Sequence, residues 1–262
     1  GVPVAVGTMD AWGSIFGAGL LRPGRGMDVA GTSEIVGVSS TSSTATEGIV
    51  SFPPVYGTRV HAGPTQAGGS ALEWIAGLLS LPIADALAAA EARVHDPQPV
   101  VFLPHLAGER APYWNPDARG VFLGLTTSTD AGDLVLATLE GVAFAVRMLL
   151  EGCERAAGVQ TERIRVAGGG ARSPLWNQLK ADVIGRPVHV LADLDAGVLG
   201  ATFTGMVAAG LGPDVASLAE GRVRVAETVE PRADRQPRAD LLYEVYTQTY
   251  RAMEPLFPRL AD

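Results

Sequence analysis

The sequence predicts an α/β domain with a mainly parallel sheet, and two strand-then-helix units in its second half support this prediction. Residues 164–167 form a short apolar run that leads into Gly168-Gly169-Gly170 and then into a helical segment. Ser173-Pro174 is typical of the N-cap and first turn of that helix. Residues 187–191 form a second such run, and a helical stretch follows over 197–210. Strands that alternate with helices in this way are typical of layered domains with parallel strands.

The other elements follow from the spacing of apolar residues and from the positions of turn residues. Strands are predicted over 2–6, over 100–103, and on both sides of the turn Gly31-Thr32-Ser33 within 29–40. The Pro- and Gly-rich segment 47–65 is predicted to hold strand fragments and loop. Helices are predicted over 11–21, 68–80, 83–94, 130–157 and 239–256. Long loops are predicted over 104–120 and 211–238.

The composition and net charge of the chain disfavour several kinds of protein and of binding partner. Of the 262 residues, 47% are hydrophobic and 18% are charged, which is typical of a folded domain. The net charge of −8 disfavours nucleic acid and anionic membranes as partners. The single cysteine, Cys153, lies in an apolar helical run and is expected to be a buried thiol. It excludes an internal disulfide within this chain. With neither a leader nor a membrane-spanning run evident, we predict a cytoplasmic protein.

Three glycine-bearing turns follow strand candidates: Gly7-Thr8, Gly31-Thr32-Ser33 and Gly168–Ala171. Glycine lets the backbone approach a phosphate, and the exposed N–H groups of such turns favour anions. One such turn is more often a simple connection, but three in one chain favour a nucleotide site. Two familiar motifs are absent: no Gly-Lys-Ser/Thr forms a P-loop, and Ser173 stands where a dinucleotide fingerprint needs glycine. The four histidines do not pair at metal-ligand spacing.

Asp10 is open to two interpretations. It follows a predicted strand and a Gly-Thr turn, at the start of a predicted helix. The residues alone favour a helix N-cap, a role in which aspartate is common. The alternative is a general base at the carboxyl edge of the sheet, where open α/β folds bind ligands.

Several ordered motifs resemble the FGGY family of carbohydrate kinases, most closely its xylulokinase-type members. Gly120–Leu125 and, seven residues later, Asp133–Glu140 fit that family's second signature at every position. Further matching segments are Gly63–Trp74, Leu103–Asp117, Ala167–Asn177 and Asp195–Ala201, the last with Asp195 where the family has Glu. The resemblance extends over nearly the whole chain.

The resemblance implies an actin-like (ribonuclease-H-like) ATPase domain, in which a mixed sheet is flanked by helices. It implies that residues 1–262 are the C-terminal, nucleotide-binding domain of a two-domain kinase whose N-terminal sugar-binding domain lies outside this chain. By the same resemblance, Asp10 is the general base that accepts the proton of the sugar hydroxyl. The ATP-binding residues that the resemblance implies are Gly31, Thr32, Gly69, Glu73, Gly169, Gly170, Ala171, Ser173 and Asn177. We add Gly7 and Thr8, which form the first glycine turn.

The expected reaction is ATP-dependent phosphorylation of a xylulose-type ketose by the full-length protein. ATP and Mg²⁺ are the expected cofactors, with Mg²⁺ near Asp10 rather than in a cluster of metal-binding side chains. Alternatives are kinases for ribulose or glycerol, or a non-catalytic nucleotide-binding module. The expected partners are the sugar, the N-terminal domain and, for the full-length protein, a second copy in a homodimer. Alone, the chain is expected to lack kinase activity.

Two further groups of residues each allow two interpretations of their role. Trp74, Trp114 and Trp176 either stack on an adenine or belong to the core or the cleft wall, which is the commoner role. Glu109 and Arg110 either form an ion pair that ties their loop to the core or face the cleft.

Overall fold

A computed structural model describes residues 4–260 of the chain. The helices are α1 (Asp10–Gly17), α2 (Gly69–Leu78), α3 (Ile83–Arg93), α4 (Ala131–Ala157), α5 (Pro174–Ile184), α6 (Ala196–Ala208), α7 (Val215–Arg222) and α8 (Gln236–Met253). The strands are β1 (Gly26–Ala30), β2 (Glu34–Ser40), β3 (Val50–Ser51), β4 (Arg59–Pro64), β5 (Val101–Leu103), β6 (Val121–Leu123), β7 (Ile164–Gly168), β8 (Val188–Leu191) and β9 (Val225–Val229).

Seven of these strands form one mixed sheet in the order β3-β4-β2-β1-β7-β8-β9. The central pairs β1–β7 and β7–β8 are parallel, and the other pairs are antiparallel. The mixed sheet is confirmed, whereas the expectation of a mainly parallel sheet is wrong. The strands of the first half follow one another without crossover helices, and short connections of this kind join antiparallel neighbours.

The long helix α4 packs across the sheet and forms much of the core. Its N-terminus has a capping box, in which the Asp130 side chain accepts from the Asp133 N–H and Asp133 accepts from the Asp130 N–H. The helix ends at Gly158, which adopts the left-handed conformation with φ 66°. Leu139, Val142 and Cys153 are fully buried on it. Cys153 is a buried free thiol, as predicted, and its burial raises the pKa of the thiol.

Helix α1 is fixed to helix α6 by an unusually close backbone approach. A Cβ built at Gly17 would lie 1.8 Å from the carbonyl oxygen of Ala196, and one built at Gly200 would lie 2.0 Å from that of Gly13. Only glycine allows such contact. The α6 segment belongs to the motif Asp195–Ala201 of the sequence analysis, so this motif positions α1, the helix that begins with Asp10.

Several element predictions need correction. Residues 4–6 of the predicted strand 2–6 form no strand, and residues 2–3 lie outside the described part. Helix α1 ends at Gly17 rather than residue 21, because the chain turns at Gly19, where φ is 71°. The predicted loop 211–238 contains α7 and β9. Both are short, and β9 is mostly exposed at the sheet edge, so neither has a strong apolar period.

Within residues 4–260, no single helix is both long enough and apolar enough to cross a membrane; α2 and α3 pass only as a pair, bent by 94°.

Candidate functional site

Two glycine turns lie side by side at the carboxyl edge of the sheet. In the parallel pair β1–β7, Ala30 is opposite Gly168. The chain leaves β1 into Gly31-Thr32-Ser33 and leaves β7 into a 3-10 turn, Gly169–Arg172. The carboxyl ends of adjacent parallel strands are where open α/β sheets bind ligands. The register of β1 and β7 therefore brings together two of the three predicted glycine turns.

Gly168 fixes the geometry between the two turns. Its φ of 85° and ψ of −179° belong to a region that is essentially restricted to glycine. A Cβ built there would lie 2.2 Å from the carbonyl oxygen of Ala30. Its N–H donates to the carbonyl of Leu194 at 2.7 Å. Both the backbone conformation and the lack of room for a Cβ therefore restrict this position to glycine.

The N-terminus of α2 closes the third side of the site. The N–H groups of Gly69 and Ser70 donate to the carbonyls of Gly31 and Thr32 at 2.8 and 3.1 Å. The Ser70 hydroxyl also donates to the carbonyl of Thr32, at 2.8 Å. A Cβ at Gly69 would come within 2.8 Å of the Gly31 carbonyl oxygen. The start of α2 therefore holds the 31–33 turn in place, with these N–H groups already occupied.

These elements enclose a cavity of about 500 Å³, which we call the glycine cavity. Its volume lies in the range of ligand pockets, roughly 300–1,000 Å³. Seven of the predicted ATP-binding residues line it: Gly31, Thr32, Gly69, Glu73, Gly169, Gly170 and Ser173. The wall is completed by Trp176 and by four residues that were not predicted from the sequence to belong to the site, namely Leu72, Ile83, Leu87 and Arg172. The apolar ones have the spacing of ordinary core positions, so only their place beside the turns distinguishes them.

The other predicted ATP-binding residues line neither this cavity nor the one described next. Asn177 is buried, and its side-chain amide donates to the carbonyl of Ala171 at 2.8 Å. Asn177 therefore braces the 3-10 turn from behind. Ser173, which does line the glycine cavity, is the N-cap of α5 as predicted, and its hydroxyl accepts from the Trp176 N–H at 3.3 Å. Gly7 and Thr8 are exposed in the segment before α1.

A second cavity, of about 340 Å³, lies on the other side of the 31–33 turn, and we call it the Asp10 cavity. Its polar lining is Asp10, Ser14, Ser33, Glu34 and Arg110. Its apolar lining includes Phe52 and Trp114. Asp10 is the first residue of α1, not its N-cap, and its Oδ1 accepts from the Ala11 N–H at 2.7 Å. The capping interpretation is therefore wrong: Met9 holds the cap position, without a side-chain bond. The Asp10 carboxylate is exposed to the cavity.

One turn separates the two cavities. Gly31 and Thr32 line the glycine cavity, whereas the next residue, Ser33, lines the Asp10 cavity. A ligand that extends along this turn would place its end beside the Asp10 cavity.

Glu109 and Arg110 do not pair with each other. The buried Glu109 carboxylate accepts from His105 Nδ1 at 2.8 Å, from the Gln66 N–H at 2.6 Å and from the backbone N–H of Arg110 at 2.8 Å. The Arg110 guanidinium donates instead to Ser33 Oγ, at 3.0 Å, and to the carbonyl of Thr65. Of the two interpretations, Glu109 anchors the loop and Arg110 faces the cleft.

The three tryptophans have different surroundings. Trp176 lines the glycine cavity while its Nε1–H donates to the carbonyl of Leu139 at 3.3 Å. Trp114 lines the Asp10 cavity and donates to the carbonyl of Gly48 at 3.0 Å. Trp74 stacks on Phe102 with ring centroids 5.8 Å apart and lines neither cavity. Trp176 alone is therefore placed on the wall of the glycine cavity.

A buried charge cluster lies behind the 31–33 turn. Lys180 Nζ on α5 donates to Asp28 Oδ2 on β1, at 2.5 Å, and to Glu34 Oε2 on β2, at 3.0 Å. Asp28 Oδ1 and Glu34 Oε1 are buried without a hydrogen-bond partner in the described residues. Burial, and then the neighbouring Asp28, raise the pKa of Glu34. Burial lowers the pKa of Lys180, but the two carboxylates outweigh it and raise that pKa overall.

No cluster of three or more His, Cys, Asp or Glu side chains is suited to hold a metal ion in residues 4–260.

Residues 26–209 match the C-terminal domain of the FGGY family of carbohydrate kinases, a match that covers more than half of the chain. This chain belongs to that family. It is 33% identical over 258 residues to the xylulose kinase of Escherichia coli (strain K12), covering 94% of this chain and 52% of the relative. It is also 33% identical over 220 residues to the glycerol kinase of Myxococcus xanthus (strain DK1622), covering 80% of this chain and 44% of the relative. The chain thus spans about half the length of these FGGY relatives.

Solved structures of sugar kinases have the same fold. The xylulose kinase from Rhodospirillum rubrum superposes with a TM-score of 0.83 at 29% identity, over 95% of this chain and 51% of that one. The gluconate kinase from Lactobacillus acidophilus gives a TM-score of 0.87 at 22% identity, over 95% of this chain and 51% of that one. The predicted actin-like ATPase fold is confirmed.

Proposed function

We propose that the full-length protein transfers the terminal phosphoryl group of ATP to a sugar hydroxyl, with this chain as its nucleotide-binding domain. The observation that supports this most directly is the shared 31–33 turn, which has the glycine cavity on one side and the Asp10 carboxylate on the other. A nucleotide bound along the turn would bring its last phosphate to the cavity that holds a candidate base.

In the glycine cavity, we assign the adenosine to the side formed by Gly169, Gly170 and Ser173, and the phosphates to Gly31 and Thr32. The apolar wall with Trp176 suits a base, and Glu73 provides a carboxylate that can accept from hydroxyl groups. Asn177 and Ala171 would contribute by bracing the turn. Gly7 and Thr8 remain predicted phosphate contacts, which depend on the position of a ligand in the cleft.

The reaction needs one proton acceptor and charge stabilisation. As the sugar oxygen forms a bond to the γ-phosphorus, the bond from that phosphorus to the β–γ bridging oxygen breaks and ADP leaves. The hydroxyl proton passes to the Asp10 carboxylate, which is exposed in its cavity. General-base help of this kind is typically worth about 10²–10⁴-fold in rate.

Mg²⁺ is expected with the nucleotide, since it usually binds through phosphates, waters and only one or two carboxylates. The absence of a ready cluster of metal-binding side chains in residues 4–260 is compatible with that mode of binding. When bound, Mg²⁺ neutralises phosphate charge. Asp10 is the carboxylate of this chain best placed to contact it directly or through water.

We take a xylulose-type ketose as the first candidate substrate, with glycerol and ribulose as alternatives. A xylulose kinase and a glycerol kinase are about equally similar to the chain, each 33% identical to it. The ketose is ranked first because the ordered motifs of the sequence, taken together, resemble the xylulokinase-type members most closely. Ranking D-xylulose, D-ribulose and glycerol by kcat/KM on the full-length protein would choose among them.

Replacing Asp10 tests the proposal. In the full-length protein, Asp10→Asn should lower kcat by about 10²–10⁴-fold, because the amide cannot accept the proton. ATP binding should persist, since Asp10 lies outside the glycine cavity. A coupled ADP-release assay and calorimetric titration with ATP measure the two effects.

Asp85→Asn is a matched control, because Asp85 is likewise an exposed aspartate in the first turn of a helix, α3. It should leave kcat unchanged. Retained turnover in Asp10→Asn would contradict the assignment of the base. Wild-type protein that binds ATP but phosphorylates none of the three substrates would favour the non-catalytic module.

A further inference from the structure

The Asp10 cavity contains one cation whose role the proposed reaction has not yet used. Arg110 is the only Lys or Arg that lines this cavity in the described part of the chain, and Arg172 is the corresponding cation of the glycine cavity. Lys180, the single lysine of the sequence, is buried between Asp28 and Glu34 and does not line either cavity. Within the described part of the chain, Arg110 therefore supplies the positive charge that lines the Asp10 cavity.

The guanidinium of Arg110 is held in place but not neutralised. It donates to Ser33 Oγ at 3.0 Å and to the carbonyl of Thr65, which are both uncharged. Asp10 and Glu34 line the same cavity, but within residues 4–260 no carboxylate forms an ion pair with Arg110, and its buried Nε lacks a hydrogen-bond partner. Partial burial of a cation without a counter-ion lowers the stability of the folded state, because the charge loses hydration without gaining a partner. Its charge is available to an anionic ligand in the cavity.

The loop around Arg110 is rigidly anchored. Glu109 accepts the backbone N–H of Arg110, as well as bonds from His105 and Gln66. On the other side, the N–H of Ala111 donates to the carbonyl of Pro64 at 3.0 Å. Glu109 is therefore a positioning residue, and it fixes the backbone from which Arg110 reaches Ser33.

We propose that Arg110 binds the phosphoryl group during its transfer, an inference that rests on the proposed kinase function. The group moves from the nucleotide, along the 31–33 turn, to the hydroxyl beside Asp10. Arg110 contacts the last residue of this turn and lines the same cavity as Asp10. In this position its guanidinium stabilises the charge on the phosphoryl oxygens in the transition state, as an arginine supplied in cis does in other phosphoryl-transfer enzymes.

The test uses the full-length protein with the sugar that gives the highest kcat/KM. Arg110→Ala should lower kcat by about 10²–10³-fold, the usual cost of one transition-state donor. The KM for the sugar and the dissociation constant for ADP should not change, because neither ground state holds the transferring group. Added guanidinium ion should restore part of the lost kcat. Arg110→Lys should fall between the wild type and Arg110→Ala, since lysine keeps the charge without the planar fork.

Arg163→Met is the matched control, because Arg163 is an exposed arginine whose ion pair is with Glu162. It should behave as the wild type in every assay. A merely structural role for Arg110 predicts instead a lower Tm, weaker ADP binding and no rescue by guanidinium. A higher KM for the sugar at unchanged kcat would assign Arg110 to the sugar. Either result overturns the inference, and so does full activity in Arg110→Ala.

The kinase function can fail independently. If the wild type turns over no sugar, or if Asp10→Asn remains fully active, the proposed function itself is contradicted. If the wild type is active, Asp10→Asn is inactive and Arg110→Ala is unaffected, only the role of Arg110 is contradicted.

Discussion

The backbone of Gly168 takes a conformation that side chains do not tolerate, at the point where the chain leaves β7 for the glycine cavity. An alanine here would meet two penalties. The conformation alone costs about 1–3 kcal/mol for a residue with a Cβ. The Cβ would also overlap the carbonyl oxygen of Ala30, which lies 2.2 Å from the built position.

Gly168→Ala should therefore lower the free energy of unfolding and weaken ADP binding together, because the overlap pushes the 3-10 turn away from β1. Urea unfolding and calorimetric titration measure the two effects. Gly158→Ala is the control: Gly158 also has a positive φ, of 66°, but no atom lies within 4 Å of its built Cβ. It should lose only about 1–2 kcal/mol and keep normal ADP binding. Equal losses in both variants would show that the contact with Ala30 is unimportant.

For single residues, the sequence predicted which positions belong to the site better than it predicted what their side chains contact. Gly31, Gly69 and Gly169 were assigned to one site through the resemblance to the FGGY family, because each lies in a short motif that can be matched locally in the chain. Asn177 belongs to the same motif as Gly169, yet its side chain bonds to Ala171 behind the turn. That orientation depends on the packing of α5, which no local pattern reports. Arg110 faces the cleft for a similar reason, since Glu109 is already occupied by His105 and two backbone N–H groups.

Among the elements, α5 is tied to β1 and β2 by the buried contacts of Lys180 with Asp28 and Glu34. Removal of one member of a buried charge cluster costs about 3–5 kcal/mol, because the remaining charges are left without compensation. Lys180→Met should lower the free energy of unfolding by about this amount. Arg163→Met, which removes an exposed pair with Glu162, should change it by at most about 1 kcal/mol.

The cost of Lys180→Met should depend on pH. Burial raises the pKa of Glu34, and loss of the Lys180 ammonium removes a charge that lowers that pKa. A carboxyl whose pKa is higher in the folded state loses stability as pH rises through that pKa. The difference in unfolding free energy between wild type and Lys180→Met should thus be larger at pH 8 than at pH 5. Urea unfolding at both pH values measures it, and a difference that shrinks as pH rises would contradict this account.

Some helices and strands could be predicted from the sequence, and others could not. The helix over 130–157 and the strands around Gly31 were predicted because their apolar period and turn residues agree. By contrast, α7 and β9 were missed because neither has a strong local pattern: α7 packs against α6 and α1, and β9 pairs with β8 at the edge of the sheet. The motif Asp195–Ala201 was recognised, but its close contact with α1 could be seen only once both helices were placed together.

For the whole molecule, the two cavities divide the expected activities. The glycine cavity is formed entirely by this chain, so the 262-residue chain should bind ADP by itself. The Asp10 cavity lies beside the exposed segment that precedes α1, and the chain spans about half of its FGGY relatives. The predicted N-terminal domain, homodimer and cytoplasmic location remain predictions about the full-length protein.

We therefore expect ADP binding without sugar phosphorylation when this chain is expressed alone. Calorimetry with ADP and a coupled ADP-release assay with D-xylulose, D-ribulose and glycerol measure both. The full-length protein is the positive control, and Gly168→Ala is the negative control for binding. Robust turnover by the isolated chain would show that a second domain is unnecessary for catalysis.

The burial of Lys180 has a practical consequence. Because the chain has a single lysine and its ammonium is inaccessible, a protease that cleaves only after lysine has no exposed target in the native fold. Transient opening of the contact between α5 and the sheet would release two fragments from one cut. The rate of that cut, followed with and without nucleotide, would report directly how far ligand binding suppresses opening in this region.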